Sequence, residues 1–239
     1  MSGHSHWAGI RHKKALTDTK KASVFTKMAN NITIAARHGG NPDMNFRLRL
    51  AIDAARAVNM PKDNIERAVK RGTGELTDGA VIEELVYEAY GPGQVALLIG
   101  TATDNRNRTF GDIRTILTKN GGKIVSEGAV SYLFTLSGEI VIPLDNRNQD
   151  EAELTAIEAG AEDVSRDGVS LIVLSRPEDL QKTKESLEAA GFAIGSASLA
   201  YIPTQKMSIS KENRTQYDAL LEALDEHADV QDVWDNLSD

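Results

Sequence analysis

Fourteen lysines and arginines fall within the first 75 residues: Arg11, Lys13, Lys14, Lys20, Lys21, Lys27, Arg37, Arg47, Arg49, Arg56, Lys62, Arg67, Lys70 and Arg71. Only six acidic residues accompany them, a net charge of +8, whereas residues 76–239 carry 13 basic against 29 acidic residues, a net of −16. A block of this sign suits a polyanion, and nucleic acid is the commonest one. Helical i,i+4 pairs such as Asp63 with Arg67 and Glu66 with Lys70 would neutralise only a minority of that charge. At the start of the block, His4-Ser5-His6-Trp7 and Arg11-His12-Lys13-Lys14 mix stacking groups with cations, a combination suited to single strands and irregular RNA. The plainer account of this arm is a loose terminus whose Trp7 docks on the domain behind it.

Other candidate chemistry is sparser. Asp104-Asn105-Arg106-Asn107-Arg108-Thr109 opens a helix with either a simple cap or, through Arg106 and Arg108, a phosphate site. With Met1 removed, Ser2-Gly3-His4 offers an amine, amides and an imidazole able to enclose Cu(II) or Ni(II), although nothing in the sequence calls for that metal. Gly91-Pro92-Gly93 reads as a turn, because no Gly-Lys-Ser/Thr follows to make a phosphate loop. Cysteine is absent, which excludes disulfides and thiolate catalysis. No His-Glu-x-x-His, Gly-x-Ser-x-Gly or dinucleotide glycine motif occurs, so no catalytic residue, metal ligand or cofactor is expected. An enzyme using a cleft between α/β domains is the remotest alternative.

The elements that must position these groups follow from periodicity. Ala22, Phe25, Ala29, Ile32 and Ala36 draw a stripe along a helix between Leu16 and His38, stopped by Gly39-Gly40. A second helix is expected from Asp43 to Val58, and Pro61 opens a third that Gly72 closes. Strands follow at 84–90 and 94–101, then a helix from Asp104-Asn105 to Asn120-Gly121-Gly122 and a strand over 128–134. From Gly138 to Pro203 the order reads strand 139–143, helix 150–159, strands 161–164 and 169–174, helix 177–190 and strand 192–202, a ferredoxin-like βαββαβ plan. A strand near 207–209, a helix over 213–226 and a strand near 230–234 then complete the sheet begun at about residue 80. The expected class is α+β: a basic three-helix domain, residues 1–75, an α/β domain, residues 76–136 plus 204–239, and an inserted ferredoxin-like domain, residues 137–203.

Several blocks resemble the YebC family. They are Gly3-His4-Ser5-x-Trp7-Ala8-x-Ile10, Phe25-Thr26-Lys27, Ala35-Ala36-Arg37-x-Gly39-Gly40, the run from Asn59 to Ala68, Lys70-Arg71-Gly72-Thr73-Gly74, Tyr87-Glu88-x-Tyr90-Gly91-Pro92-Gly93, and the run from Thr103 to Thr109 with Gly121-Gly122 beyond it. The resemblance spans nearly the whole chain, and its 59–74 and 87–109 blocks are highly specific. It implies a helical N-terminal domain and two α/β domains, the third inserted into the second. It also implies a cytoplasmic, DNA-binding transcriptional regulator, while the mitochondrial relative is a translational activator of cytochrome c oxidase and bacterial members are linked to ribosomes stalled on proline-rich sequences. Residues 200–203 depart from the family pattern, which implies an insert surface particular to this chain.

Taken together, the sequence predicts a non-enzymatic nucleic-acid-binding regulator, with a ribosome-associated RNA-binding translation factor as the alternative. The expected contact set is His4, His6, Trp7, Arg11, Lys13, Lys14, Lys20, Lys21, Lys27, Arg37, Arg47, Arg49, Lys62, Lys70, Arg71, Arg106 and Arg108. The expected partners are DNA or RNA, including the ribosome, and no membrane, the chain acting as a monomer or weak homo-oligomer. No apolar run of about 18 residues is present, and the start lacks a secretory apolar stretch, so a cytoplasmic location is expected.

Overall fold

The computed structural model describes residues 18–76, 81–144 and 148–238, with side chains described from Ala22 onward. Residues 134–204 form one compact unit, and the helical domain with the remaining α/β elements forms another.

The basic domain comprises α1 (Asp18–Ala36), α2 (Phe46–Ala57) and α3 (Lys62–Gly72). Met28, Ile32, Ala35 and Ala36 of α1 close over Leu48, Ile52 and Ala55 of α2 and over Ile65 and Ala68 of α3. The buried stripe of α1 is thus rotated from the one expected, with Ala22 exposed and Phe25 and Ala29 only half-buried. The rotation has a cause: α1 is also buried at Thr33 and Ile34, and Ile34 packs with Ile82 and Ala102 of the α/β domain. Two buried faces leave little room for a clean amphipathic stripe.

Asn45 joins the first two helices. Its Oδ1 accepts from the Leu48 N–H at 3.1 Å, capping α2, while its Nδ2 donates to the carbonyls of Ala35 and Gly39, both at 2.8 Å, at the end of α1. Gly72 ends α3 as expected, and it also sets how closely the helices pack. It is the last residue of α3, and a Cβ there would lie 2.4 Å from the Thr33 carbonyl oxygen, so the missing side chain lets α3 cross close over α1. The Thr33 hydroxyl tightens this crossing, donating toward the carbonyls of Ala29 at 2.8 Å and Ala68 at 3.2 Å.

In the α/β domain β1 (Glu83–Tyr90) and β2 (Ala96–Thr103) form a hairpin, with Gly93 at φ 72° and Gln94 at φ 65° turning the chain. Then come α4 (Arg106–Lys119), the short β3 (Lys123–Ile124), and, after the insert, α7 (Lys211–Glu226) and β8 (Val230–Asp235). The antiparallel sheet runs β3-β1-β2-β8, so the tail does complete the sheet begun by β1. Its core joins Leu97 and Ile99 to Ile113 and Leu117 of α4 and to Tyr217, Leu220, Leu221 and Leu224 of α7.

The strand expected over 128–134 does not form. Gly128, at φ 86°, starts an irregular turn in which the N–H groups of Gly128, Val130 and Ser131 donate to the buried Glu88 carboxylate at 2.7, 2.6 and 3.0 Å. Amides aimed at one carboxylate cannot also form a ladder. The expected strand near 207–209 likewise reduces to a single bridge between Met207 and Leu237.

The inserted unit contains β4 (Phe134–Pro143), α5 (Gln149–Glu158), β5 (Asp163–Asp167), β6 (Ser170–Ser175), α6 (Leu180–Ala189) and β7 (Ser196–Pro203). Its sheet order is β5-β6-β4-β7, all antiparallel, the split-βαβ arrangement expected from the element order. Buried Ile140, Ile142, Leu171, Val173, Leu180 and Leu187 provide its apolar interior. Among the described residues, no helix is long and apolar enough to cross a membrane.

Candidate nucleic-acid interface

His4, His6, Trp7, Arg11, Lys13 and Lys14 lie outside the described residues, as does the Ser2-Gly3-His4 terminus. Lys20 and Lys21 belong to α1, but their side chains lie outside the description. Most of the remaining cations of the basic domain fall into two groups with different work.

One group fastens the helices to the α/β domain. Lys27 is buried, and its Nζ donates to the Asp225 carbonyl at 2.6 Å and to the Asp225 carboxylate at 3.1 Å. Arg37 donates to the carbonyl oxygen of Ile82, just ahead of β1. Arg47 reaches both carboxylate oxygens of Glu84, at 2.6 and 2.7 Å. Lys27 therefore drops out of any contact surface, since a buried ammonium bonded to its own chain has no reach to a phosphate. Arg49 braces the α1–α2 connection by donating to the Pro42 carbonyl at 3.2 Å.

The other group faces solvent on α3. Ile65 and Ala68 turn inward, leaving Lys62, Glu66, Arg67 and Lys70 exposed on the outside, with Arg71 half-buried. Glu66 lies 3.4 Å from Lys62, one turn earlier, and not against Lys70 as its spacing suggested. Arg67 makes a long contact of 3.5 Å to Asn64. Asp63 in the first turn and Lys70 and Arg71 in the last complement the helix dipole and concentrate positive charge at the C-terminal end.

The entry to α4 is a cap. Asn105 Oδ1 accepts from the Arg108 N–H at 3.1 Å, and the Arg108 guanidinium donates to Asp104 and Asp229, each at 2.9 Å. Thr109 also donates to Asp229 at 2.6 Å. Burial pushes the Asp229 carboxyl up, but the bonds from Thr109 and Arg108 outweigh it and hold Asp229 below the usual carboxylate range. Arg108 is thus committed within the fold. Arg106 is mostly exposed, 3.7 Å from Glu83, and lines an open cleft of about 510 Å³ with Tyr87, Asp104, Asn105, Asn107 and Phe110. Sequence reasoning missed Tyr87 and Phe110, because an alternating strand and a helix stripe assign both to the core. Among the described residues, no group of three or more His, Asp or Glu converges as a metal site.

A cation-bearing helical module, carried on an α/β domain interrupted by a βαββαβ insert, defines the class of protein. Two family models match: the TACO1/YebC protein N-terminal domain over residues 5–75, and the TACO1/YebC second and third domain over residues 82–237. The chain belongs to the TACO1/YebC family. A probable transcriptional regulatory protein of Persephonella marina is 48% identical across 99% of this chain and 95% of its own length. One of the same description from Halothermothrix orenii is 46% identical across 99% and 94%. The crystal structure of a conserved hypothetical protein from Aquifex aeolicus superimposes with a TM-score of 0.90 at 43% identity, covering 98% of this chain and 97% of that one.

Proposed function

We propose that this protein is a nucleic-acid-binding regulator without enzymatic activity, that it works in the cytoplasm as a monomer or weak homo-oligomer, and that transcription is the process it regulates. The observation that carries the reading is the outer face of α3, where Lys62, Arg67 and Lys70 are exposed, in a sequence whose first 75 residues carry a net charge of +8. The names of the relatives favour DNA as the target. The acidic remainder of the chain repels a polyanion and concentrates phosphate contact on the helical face.

Contact with 6 to 10 phosphates makes affinity fall by about 10³ to 10⁵ between 50 and 200 mM salt. Duplex binding measured by anisotropy across that range tests the electrostatic account, and a flat salt response sinks it. A second reading is an RNA-binding translation factor on the ribosome, favoured by the His4-Ser5-His6-Trp7 start, whose side chains suit unpaired bases better than a regular duplex. In-cell crosslinking followed by sequencing separates the two: promoter DNA supports the first, and ribosomal or transfer RNA the second.

A further inference from the structure

We propose that the open cleft between β1 and α4 holds one unpaired nucleobase, stacked against Phe110 and Tyr87. This rests on the nucleic-acid-binding reading above and adds to it a second, aromatic contact. The rings of Tyr87 and Phe110 are tilted by 53° with centroids 6.0 Å apart. Phe110 is 41% exposed, whereas Thr109, Ile113 and Leu117 of the same helix are buried. An aromatic ring left at the mouth of a cleft, beside a second ring, presents the kind of π surface on which a base stacks.

Volume and charge agree with that occupant. A space of about 510 Å³ falls within the usual range for a small-ligand site of about 300–1,000 Å³. Arg106 lies by Glu83, and Arg108 lies between Asp104 and Asp229, so the local charges nearly cancel. A run of phosphates gains little there, while an uncharged base with one flanking phosphate on Arg106 is accommodated. Asn107 adds an amide with both donor and acceptor for a base edge. Successive residues of β1 face opposite sides of the sheet: Glu83 pairs with Arg106 of the cleft, and Glu84 holds Arg47 of α2. Bases in a regular duplex are hidden in the stack, so the cleft selects strands or loops with unpaired bases.

The test uses the full chain and two fluorescent probes, a single-stranded oligoadenylate and an RNA duplex, each of about 12 nucleotides or base pairs, within the known range of site sizes. Phe110→Leu keeps the apolar volume but removes the π face; it is expected to weaken single-strand binding by about 5- to 100-fold and to leave duplex binding and its salt slope unchanged. Phe110→Trp is expected to retain binding. Ultraviolet crosslinking of the unaltered protein is expected to place the oligoadenylate on Tyr87 or Phe110, a readout that does not depend on any variant folding. Unchanged single-strand affinity in Phe110→Leu, equal weakening for both probes, or crosslinks mapping only elsewhere would overturn the cleft. If the cleft fails while Lys62→Glu with Lys70→Glu weakens both probes, the basic-face reading stands alone. An unaltered protein that binds neither probe overturns the cleft, and one that also fails to bind a DNA duplex overturns both.

Discussion

Replacing Lys27 by Met separates the two roles that its charge suggests. The ammonium has a side-chain exposure of 4% and bonds the Asp225 carbonyl and carboxylate, joining α1 to α7. Met keeps most of the apolar stem and adds no large cavity, so the loss is chiefly that of the polar contacts. A hydrogen bond to a charged group contributes about 1.5–3 kcal/mol. The Asp225 carboxylate is 48% exposed and regains water once released, so the carboxylate bond adds little beyond the carbonyl bond. The expected loss is therefore about 2–3 kcal/mol. Urea unfolding followed by circular dichroism should show a lower midpoint at an unchanged slope. Nucleic-acid affinity of the folded variant should stay within about twofold, because about 1.4 kcal/mol is needed for a tenfold change and no phosphate contact is removed. Lys70→Met should do the reverse, changing stability by less than about 0.5 kcal/mol while weakening binding. Unaltered stability with several-fold weaker binding in Lys27→Met would refute the fastening role.

Three further outcomes follow from the same geometry. Lys62→Glu combined with Lys70→Glu should flatten the slope of log affinity against log salt by about 0.9 for each phosphate that is no longer neutralised; an unchanged slope would remove α3 from the interface. Burial pushes the Glu88 carboxyl up, but its three amide bonds outweigh that and hold it below the usual range, so its stabilising share is complete above the unfolded value of about pH 4.3 and is lost as pH falls through the lower folded value. Glu88→Gln should thus be less stable at neutral pH and should lose part of the acid sensitivity below about pH 4.3, as read by unfolding midpoints across pH. Gly72→Ala forces a Cβ toward the Thr33 carbonyl and should destabilise by about 1–3 kcal/mol despite the higher helix propensity of Ala; a more stable variant would show that α1 and α3 are not in tight contact.

The sequence made the elements legible where one period dominated. The βαββαβ insert and the return of the tail to the first sheet followed from strand and helix order, and the structure has both. Misreadings arose where a residue served a partner distant in sequence. Gly72 ends α3 as its position indicates, but its second role, the close approach to Thr33, is one that no local pattern reveals. The apolar run before Phe134 is β-like, but Glu88, more than forty residues upstream in β1, draws its amides away from a ladder. Basic charge was legible as a total, not as a division of labour, because Lys27 differs from Lys70 only through the position of Asp225. The aromatic cleft was hidden for the same reason: Tyr87 and Phe110 meet only when β1 and α4 pack.

That division of labour predicts how the molecule responds to salt. The cations of α3 proposed to meet phosphates are exposed, and their attraction to a polyanion decays over a Debye length of about 8 Å at physiological ionic strength. Lys27 is buried, Arg37 bonds a neutral carbonyl, and Ile34, Ile82 and Ala102 form an apolar contact beside them. None of these three contacts depends strongly on bulk salt; only Arg47 with Glu84, about half exposed on both sides, should weaken. Salt sufficient to release nucleic acid should therefore leave the helical domain docked on its sheet, and hydrogen exchange at α1 measured before and after release checks this. Protection that disappears together with the nucleic acid would mean that the bound target, not the fastening set, holds the helices in place.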